Sequence, residues 1–558
     1  MADEINGITR ICEGKATYTS SGKTDLHATE GNLTTCAATT NNVHSGEGGI
    51  NHLDYEPLHP HDTMDTTVDI TLNLFFDGTN NNRSNTKARE EKKDSYKANA
   101  FENGKTIDDN SYDNGYTNVV HGFDATIATL PKQAVVYIEG IGTRNEGEDE
   151  ITFGKGLATG KTGYNVKVEK GCDEAAKEVK AKKDQAGAKQ INVLTVNLFG
   201  FSRGAATARY FLHLATQRLT FLTDKSILSP TAVSKPITKR QDIFEKHGYF
   251  SYCLDKYQAI PNKIVFNFVG LYDTVSSYGA YHGENVEVLG LNSIKKAEMT
   301  FQIAADDEFR ENFDLTNINS AGLKGLEITL PGVHSDIGGS YRNYTEGIDP
   351  EKRTHYTANY RHNSNEPETY YHNEALAIKK MLVEEGWYTK DQLWIEVKKT
   401  IGVWYKLKLV GERNLLNTYD RIALTYMTHL TKKNGVKMDG PKVSKMTEIS
   451  DTFIINVHNQ LKTYINQCFY SRTEYINKAN NNPDLEAKLT KKYLENAKHL
   501  TTLRDENISL SDLRDLRNRF LHWSVNNDKF GLGPRTNMLG YAGDLKKQSL
   551  RKREIQDG

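Results

Sequence analysis

Long apolar runs, an excess of charge of one sign and paired cysteines are all missing from this sequence of 558 residues. No apolar run approaches the roughly 20 residues that a membrane-spanning helix needs. The 71 basic and 72 acidic side chains leave a formal net charge of −1. This balance gives no electrostatic basis for nucleic-acid binding or for the binding of a polybasic segment to anionic lipid. Any contact with a membrane must therefore come from local apolar surface.

The cysteines and histidines of the sequence do not form patterns that predict a disulfide framework or a metal site. The cysteines are odd in number and far apart, which indicates buried thiols rather than a disulfide framework or a metal site: Cys12, Cys36, Cys172, Cys253 and Cys468. The spacing of His59 and His61, with His52 nearby, would suit a metal, but solvated loop histidines are far commoner, so no metal is predicted. Residues 1–7 are acidic and polar, without the basic and apolar regions of a Sec signal peptide, so we expect synthesis in the cytoplasm.

The pattern along the chain changes twice. Residues 1–66 are rich in Thr, Ser, Asn and Gly and lack periodicity, so we interpret them as an extended segment and a candidate docking segment. Residues 67–345, with an insertion at about 213–260, alternate strand-like and helix-like segments, which predicts βαβ units and a mainly parallel sheet. Residues 346–558 are predicted to be mainly helical. The expected fold is therefore an α/β-hydrolase core with a helical cap or C-terminal lobe.

Individual elements follow from apolar periodicity and from the residues that interrupt it. Strands are predicted at 68–76, 134–138, 191–199, 263–269 and 326–330. Helices are predicted at 118–130, 172–188, 205–219, 422–432, 452–470 and 485–503. The polar stretch from about residue 80 to 112 is expected to be a surface loop.

The strongest chemical motif is Gly200-Phe201-Ser202-Arg203-Gly204. A G-x-S-x-G match alone is weak evidence, but this one lies between a β-rich apolar run and a helix of small residues. That setting is what a nucleophile elbow requires, because the serine occupies a strained turn and the glycines leave room for strand and helix to pass closely. We therefore predict that Ser202 is a nucleophile.

A serine hydroxyl needs a base that is oriented by a third group, and in α/β hydrolases the chain order is Ser, acid, His. Asp273, just past the 263–269 strand, is the best acid, and His334, in a Gly-rich loop after a short strand, is the best base. Asp336 is the alternative acid because it lies two residues from His334. His522, in an aromatic-rich segment, is interpreted as a packed core histidine.

An oxyanion hole needs two backbone donors. In this fold one is the N–H of the residue after the nucleophile, here Arg203. The second is expected from a loop after an earlier strand, and Gly78 has the right position. The segment Gly140-Ile141-Gly142 is the competing candidate.

Five segments, in this order along the chain, resemble the first family of type VI secretion lipase effectors, which belong to a broader group of α/β hydrolases: Leu74–Asn81, Gly140–Thr143, Gly200–Ala205, Leu271–Val275 and Pro331–Gly339. The segment Arg519–Ser524 is similar as well. The resemblance is strong over residues 68–345 and loose over the rest of the chain.

This resemblance implies a phospholipase A that cleaves an acyl ester of membrane glycerophospholipids, with Ser202, Asp273 and His334 as its triad and no cofactor. It also implies an antibacterial effector that a secretion spike protein carries into the periplasm of a rival bacterium, while a cognate immunity protein protects the producer. Two other interpretations stay open. One is a serine esterase or peptidase acting on a soluble substrate, and the other is a non-catalytic component of the secretion apparatus.

Overall fold

The strongest apolar runs of the sequence form a parallel sheet in the computed structural model, which describes residues 67–102, 105–106, 110–150, 158–217, 241–277, 285–342, 348–361, 368–527, 533–534 and 553–558. The segment 1–66, which includes His52, His59, His61, Cys12 and Cys36, lies outside the described residues, as does much of the 213–260 insertion. The six strands of the sheet, numbered in chain order, run in the spatial order β4 (Gln133–Ile138), β1 (Thr67–Phe76), β5 (Gln190–Phe201), β6 (Pro261–Tyr272), β7 (Met299–Ala305) and β9 (Gly325–Leu330).

All five neighbouring pairs in this sheet are parallel, so the carboxyl ends of the strands meet at one edge. The register pairs Phe76 with Gly200, and Phe201 with Tyr272. Loops that follow β1, β5 and β6 therefore begin side by side. The predicted α/β architecture with a mainly parallel sheet is confirmed.

One face of the sheet is covered by α4 (Tyr164–Gln185), α5 (Arg203–Leu214) and α6 (Gln241–Lys256), which enclose an apolar core. Small residues make this close packing possible, since Ala205, Ala206 and Ala208 of α5 are all buried. The predictions at 172–188 and 205–219 identified the correct helices. However, α4 begins earlier than predicted and α5 ends earlier.

A second apolar core covers the other face, where Phe75 stacks on Phe199 at 4.4 Å between ring centroids. Helices that contact this side of the sheet or its edge include α3 (Asn118–Ala125), α8 (His334–Gly338), α10 (Asp420–Lys433) and α12 (Thr452–Ala479). The remaining helices of the later region are α9 (Glu368–Glu384), α11 (Gly440–Met446), α13 (Pro483–Asn507) and α14 (Leu510–Arg519). The predicted helices at 422–432, 452–470 and 485–503 are confirmed, whereas the one at 118–130 ends at Ala125.

One prediction about the fold was wrong and another was incomplete. The described residues after 346 are mainly helical, as predicted for 346–558, but β10 (Ile348–Arg361), β12 (Trp404–Leu416) and β11 (Leu393–Lys399) also form an antiparallel sheet there, in that order. The polar stretch up to residue 112 is not a simple surface loop. It forms α1 (Arg83–Glu90), α2 (Asp94–Asn99) and the short pair β2 (Phe101–Glu102) and β3 (Lys105–Thr106).

The polar stretch folds because its side chains bond to backbone groups, with little apolar burial. Asn82 caps α1, and Asn85 donates to Ser111 and to the Arg144 carbonyl. Arg89 donates to the carbonyl oxygens of Tyr112 and Asn114. Buried amide and guanidinium groups of this kind replace a periodic apolar signal, so a hydropathy pattern cannot detect them.

Short elements complete the described part of the chain. They are α7 (Asn285–Val288), β8 (Leu315–Thr316) and β13 (Ile555–Gln556), with 3₁₀ turns at Gly160–Thr162, Leu291–Lys296, Asn319–Lys324 and Lys390–Gln392. Strand β13 pairs in parallel with β8. This pairing brings residues 553–558 to the edge of the sheet where the strands end.

Candidate active site

The carboxyl edge of the sheet brings together the three residues predicted to form a triad. Ser202 follows β5 directly, Asp273 follows β6 directly, and His334 is the first residue of α8, after β9. All three side chains are buried. The order β5, β6, β7, β9 across the sheet thus places the candidate nucleophile, acid and base in the order expected of an α/β hydrolase.

Ser202 occupies a strained turn between β5 and α5, with φ 60° and ψ −132°. The surrounding glycines are required by space, since a Cβ on Gly200 would lie 2.5 Å from Ala205 Cα and one on Gly204 would lie 2.2 Å from Asp77 O. The Ser202 N–H donates to the Tyr272 carbonyl at 3.0 Å. The strand–turn–helix geometry predicted for the motif is therefore present, and backbone strain of this kind often marks a functional site.

His334 is held by Asp273 on one side and by aromatic rings around it. Its Nδ1 lies 2.5 Å from Asp273 Oδ2. The rings of Phe201 and Phe313 lie 4.6 and 5.1 Å from the imidazole centroid. Nε2 is buried and has no hydrogen-bond partner among the described residues, so Ser202 Oγ is not bonded to it in this structure and no other described group occupies it.

Electrostatics favour a neutral imidazole facing an ionised carboxylate. Burial lowers the pKa of His334 and outweighs the opposite effect of its bond to Asp273. Burial alone would raise the pKa of Asp273, but Arg553 and His334 hold it well below its usual range. A neutral histidine with its Nδ1–H bonded to a carboxylate presents Nε2 as a base, which is the arrangement a serine nucleophile needs.

Arg553, which was not predicted to belong to the site, contacts Asp273. Its Nη1 lies 2.5 Å from Asp273 Oδ1, and its Nη2 lies 2.9 Å from Asp273 Oδ2. Only 7% of the Arg553 side chain is exposed. Arg553 follows Arg551 and Lys552 in the sequence, and no local pattern indicates a contact with a residue 280 positions away.

Asp336, the alternative acid, contacts a different histidine. Its Oδ1 lies 2.7 Å from His522 Nδ1, and its Oδ2 accepts the backbone N–H of Val333 at 2.9 Å. The Nδ1 of His334 is bonded to Asp273 instead. In this structure Asp336 therefore stabilises its own loop, and His522 is buried but ion-paired, not simply packed.

The oxyanion candidates lie close to the elbow, but several of their donors are occupied. Arg203 is the first residue of α5, at the helix N-terminus, where backbone N–H groups favour negative charge. The Gly78 N–H donates to Asp77 Oδ1 at 2.8 Å. The N–H groups of Gly140 and Gly142 donate to the carbonyl oxygens of Asn81 and Thr162. Arg203 and Gly78 remain predictions, and Gly78 would have to share its donor.

The described residues include a cavity of about 420 Å³ whose lining has both charges, with Arg89, Glu90, Asp124, Asp420, Arg421 and Lys442 among its residues. The three candidate triad residues do not line it. Asp420 is half-buried there, and its partial removal from water raises its pKa to about 7. Because Ser202 and His334 are 5% and 4% exposed, the candidate catalytic groups lie beneath the surface in this structure.

In the described residues, no helix is long and apolar enough to cross a membrane. Within the same residues, no three His, Cys, Asp or Glu side chains are grouped as metal ligands would be. Cys172, Cys253 and Cys468 are buried free thiols, as predicted for these three.

Comparison with known proteins identifies the family of the chain. The family model of the catalytic domain of Tle1-like phospholipase effectors of the type VI secretion system matches residues 71–361, more than half of the chain. No curated protein sequence matches.

Among solved structures, the Tle1 effector bound to the VgrG spike from the type VI secretion system matches with a TM-score of 0.50 and 18% identity. That match covers 88% of this chain and 94% of the other. An uncharacterised protein from Pseudomonas aeruginosa matches at 14% identity and a TM-score of 0.35, over 82% and 65% of the two chains. At this identity, the first likeness supports the fold alone.

Proposed function

This chain belongs to the Tle1-like phospholipase effectors of the type VI secretion system, and we propose that it is a serine phospholipase A that cleaves acyl esters of membrane glycerophospholipids. The observation that carries the proposal is the bond between His334 Nδ1 and Asp273 Oδ2 beside the strained elbow of Ser202. Family membership supplies the class of substrate, since the elbow itself would suit many esters.

The proposed reaction follows the general serine-hydrolase scheme. Ser202 Oγ attacks the ester carbonyl while Nε2 of His334 takes its proton, and the Arg203 N–H stabilises the oxyanion. His334 then protonates the leaving lysophospholipid alcohol, which leaves an acyl-enzyme on Ser202. Water, deprotonated by His334, releases the fatty acid. Asp273 keeps the imidazole in the tautomer that this sequence of proton transfers requires.

A near-neutral protein needs local apolar surface to reach a bilayer, and the turn between β11 and β12 exposes such a surface. Ile401 is 82% exposed, and Val403 and Trp404 are about half exposed. Lys398 and Lys399 at the end of β11 are exposed beside them. Aliphatic and Trp side chains insert at the boundary of headgroups and acyl chains, and lysines attract anionic lipid. We call residues Val397–Trp404 the hairpin tip and propose that it contacts anionic bilayers.

The enzymatic proposal is tested with phospholipid vesicles labelled separately at each acyl position. The native protein should release fatty acid, and Ser202→Ala should abolish release while its melting temperature is unchanged. Full activity of Ser202→Ala would contradict the proposal. Activity on soluble short-chain esters without activity on vesicles would instead support the esterase alternative. The label that is released identifies an A1 or A2 specificity.

Delivery is a separate part of the proposal. The solved effector with a similar fold is bound to a VgrG spike, so we propose spike-borne transfer into the periplasm of a target bacterium and protection of the producer by an immunity protein. Expression in a laboratory bacterium tests the compartment. A version exported to the periplasm should kill the cell and the untagged cytoplasmic version should not, with exported Ser202→Ala as the control. Equal killing by exported Ser202→Ala would contradict a lipolytic toxin.

A further inference from the structure

The guanidinium of Arg553 forms a bidentate ion pair with Asp273, the acid of the proposed triad. Besides its two bonds to Asp273, Arg553 Nη1 donates to the Ala305 carbonyl at 3.1 Å, and Nε donates to the Phe313 carbonyl at 2.7 Å. The Asp273 carboxylate also accepts the Ala305 N–H at 2.8 Å and the His334 Nδ1–H. Each oxygen of this carboxylate therefore has two donors, one of which comes from Arg553.

The contact matters for the proposed catalysis because the positive charge of Arg553 compensates the buried negative charge of Asp273. A buried carboxylate is costly unless a cation pairs with it, and burial alone would raise its pKa. His334 is neutral in the resting state that acts as a base, so it supplies no full charge then. Within the described part of the chain, Arg553 is the cation bonded to Asp273. Its charge keeps Asp273 ionised while the imidazole is neutral.

Residues 553–558 hold the guanidinium in place by docking onto the loops that surround the site. Strand β13 pairs with β8, and the carbonyls of Glu554 and Gln556 accept the N–H groups of Leu315 and Asn317. The Thr316 N–H in turn donates to the Thr274 carbonyl, one residue after Asp273. The docked segment and the loop that carries the acid are therefore joined through β8.

We infer that Arg553 is a positioning residue of the active site, delivered to Asp273 by the docked segment 553–558, where it fixes the carboxylate that orients His334. Arg553 does not contact the reacting atoms. It acts through Asp273, because a bidentate guanidinium keeps the carboxylate ionised and fixes the orientation of its plane. This inference rests on the proposed function, in which His334 serves as the base for Ser202.

The test compares Arg553→Gln with Arg553→Lys, which keeps the positive charge but cannot form the bidentate pair with Asp273. Asp557→Ala is the matched control, because Asp557 lies in the same docked segment as Arg553 but does not contact the triad. Its carboxylate accepts hydrogen bonds from the side chains of Asn317 and Asn319. Two quantities are measured in the full chain. One is the pH dependence of fluorophosphonate labelling of Ser202. The other is the titration of His334, followed by NMR of labelled histidine and assigned with His334→Gln.

In Arg553→Gln, removal of a cation beside the Asp273–His334 pair should favour imidazolium. The pKa of His334 should therefore rise, and the acid limb of the labelling profile should move to higher pH by about one unit. Labelling at pH 7 should slow by about 10- to 100-fold, the range that loss of a charged hydrogen bond gives. Arg553→Lys should restore the acid limb and part of the rate, and Asp557→Ala should keep both.

A purely structural role would give a different result. Arg553→Gln would then lower the melting temperature and leave both the His334 titration and the acid limb unchanged, and that result would overturn the inference. An equal shift in Asp557→Ala would overturn it as well. If the native protein were not labelled at Ser202 at all, the proposed function would fail. The His334 titration would still decide the role of Arg553, because it does not require catalysis.

Discussion

His522 Nδ1 lies 2.7 Å from Asp336 Oδ1, and both side chains are buried. The ring of Tyr341 stacks on the His522 imidazole, and Asp349 Oδ2 lies 3.3 Å from its Nε2. Asp336 also accepts the N–H of Val333, the residue before His334. This ion pair therefore connects the loop that carries the candidate base to the segment that follows α14.

The His522 pair should make stability depend on pH. Burial alone would lower the pKa of His522, but Asp336 above all, with Asp349 and Glu351, raises it to about 9. A histidine whose folded-state pKa exceeds its unfolded value near 6.5 stabilises fully below that value, and the stabilisation is lost as pH rises through 9. The free energy of unfolding should fall by roughly 1–3 kcal/mol between pH 7 and 9.5.

Urea unfolding at a series of pH values measures this slope. His522→Gln should be less stable at pH 7 and should lose most of the slope, while His429→Gln, at an exposed position of α10, should keep it. A native protein equally stable at pH 7 and pH 9.5 would show that His522 is not protonated in the fold.

Asp273 and Asp336 should differ in the kind of defect that their loss causes. Asp273→Asn should lower kcat on a soluble ester by about 10⁴-fold, because an amide does not hold the imidazole in the required tautomer. Asp336→Asn should destabilise the protein by about 3 kcal/mol or more, since it leaves a buried His522 without its charged partner.

Rates for both variants are normalised to the folded fraction, measured by near-UV circular dichroism. A near-native rate per folded molecule in Asp336→Asn is expected. The reverse pattern, with the larger kcat defect in Asp336→Asn, would identify Asp336 as the acid that acts on the base.

The elbow should tolerate no side chain at Gly204. A Cβ there would lie 2.2 Å from Asp77 O and 2.5 Å from Phe76 O, and these are backbone atoms that cannot turn away. Gly204→Ala should cost at least about 2 kcal/mol of unfolding free energy. Gly440→Ala is the control, because nothing lies within 4 Å of its added Cβ, and it should change stability by less than about 0.5 kcal/mol. Equal melting temperatures for the two variants would contradict the close approach of β1 to the elbow.

A substitution in the hairpin tip should lower hydrolysis of vesicles but not of a soluble ester. Ile401→Asp removes the most exposed apolar side chain of the tip and adds a charge that anionic lipid repels. Hydrolysis of anionic vesicles should fall by about tenfold or more, while kcat on a soluble ester is unchanged. Leu510→Asp, at a 64% exposed position at the start of α14, is the control and should leave both rates near native. An equal loss on vesicles in both variants would contradict a specific role for the tip.

The sequence predicted five of the six strands of the central sheet, all except β7, and the approach of the three candidate triad residues, for one physical reason. Buried parallel strands are continuous apolar runs and their carboxyl ends share an edge, so Ser202 and Asp273 were expected at that edge. The pairing of β5 with β6 places them side by side. His334 followed from chain order and from the Gly-rich loop in which it lies.

The parts that the sequence did not predict depend on long-range or polar contacts. The antiparallel sheet of β10, β11 and β12 was missed because the first residue of β10, Ile348, is followed by Asp349, Pro350 and Glu351, which resemble a loop. Lys406-Leu407-Lys408-Leu409 does alternate with a period of two, so β12 had a readable signal. The Arg553 contact had none, because an ion pair between distant segments has no local pattern.

We propose Ser202 as the nucleophile of a triad with His334 and Asp273. Peptide mapping by mass spectrometry, after exposure of the native protein to a fluorophosphonate, tests this role. A single adduct on Ser202 is predicted, with labelling slowed by about 10²-fold or more in His334→Gln while the fold is kept. No adduct on Ser202, or labelling that is as fast in His334→Gln as in the native protein, would contradict the claim.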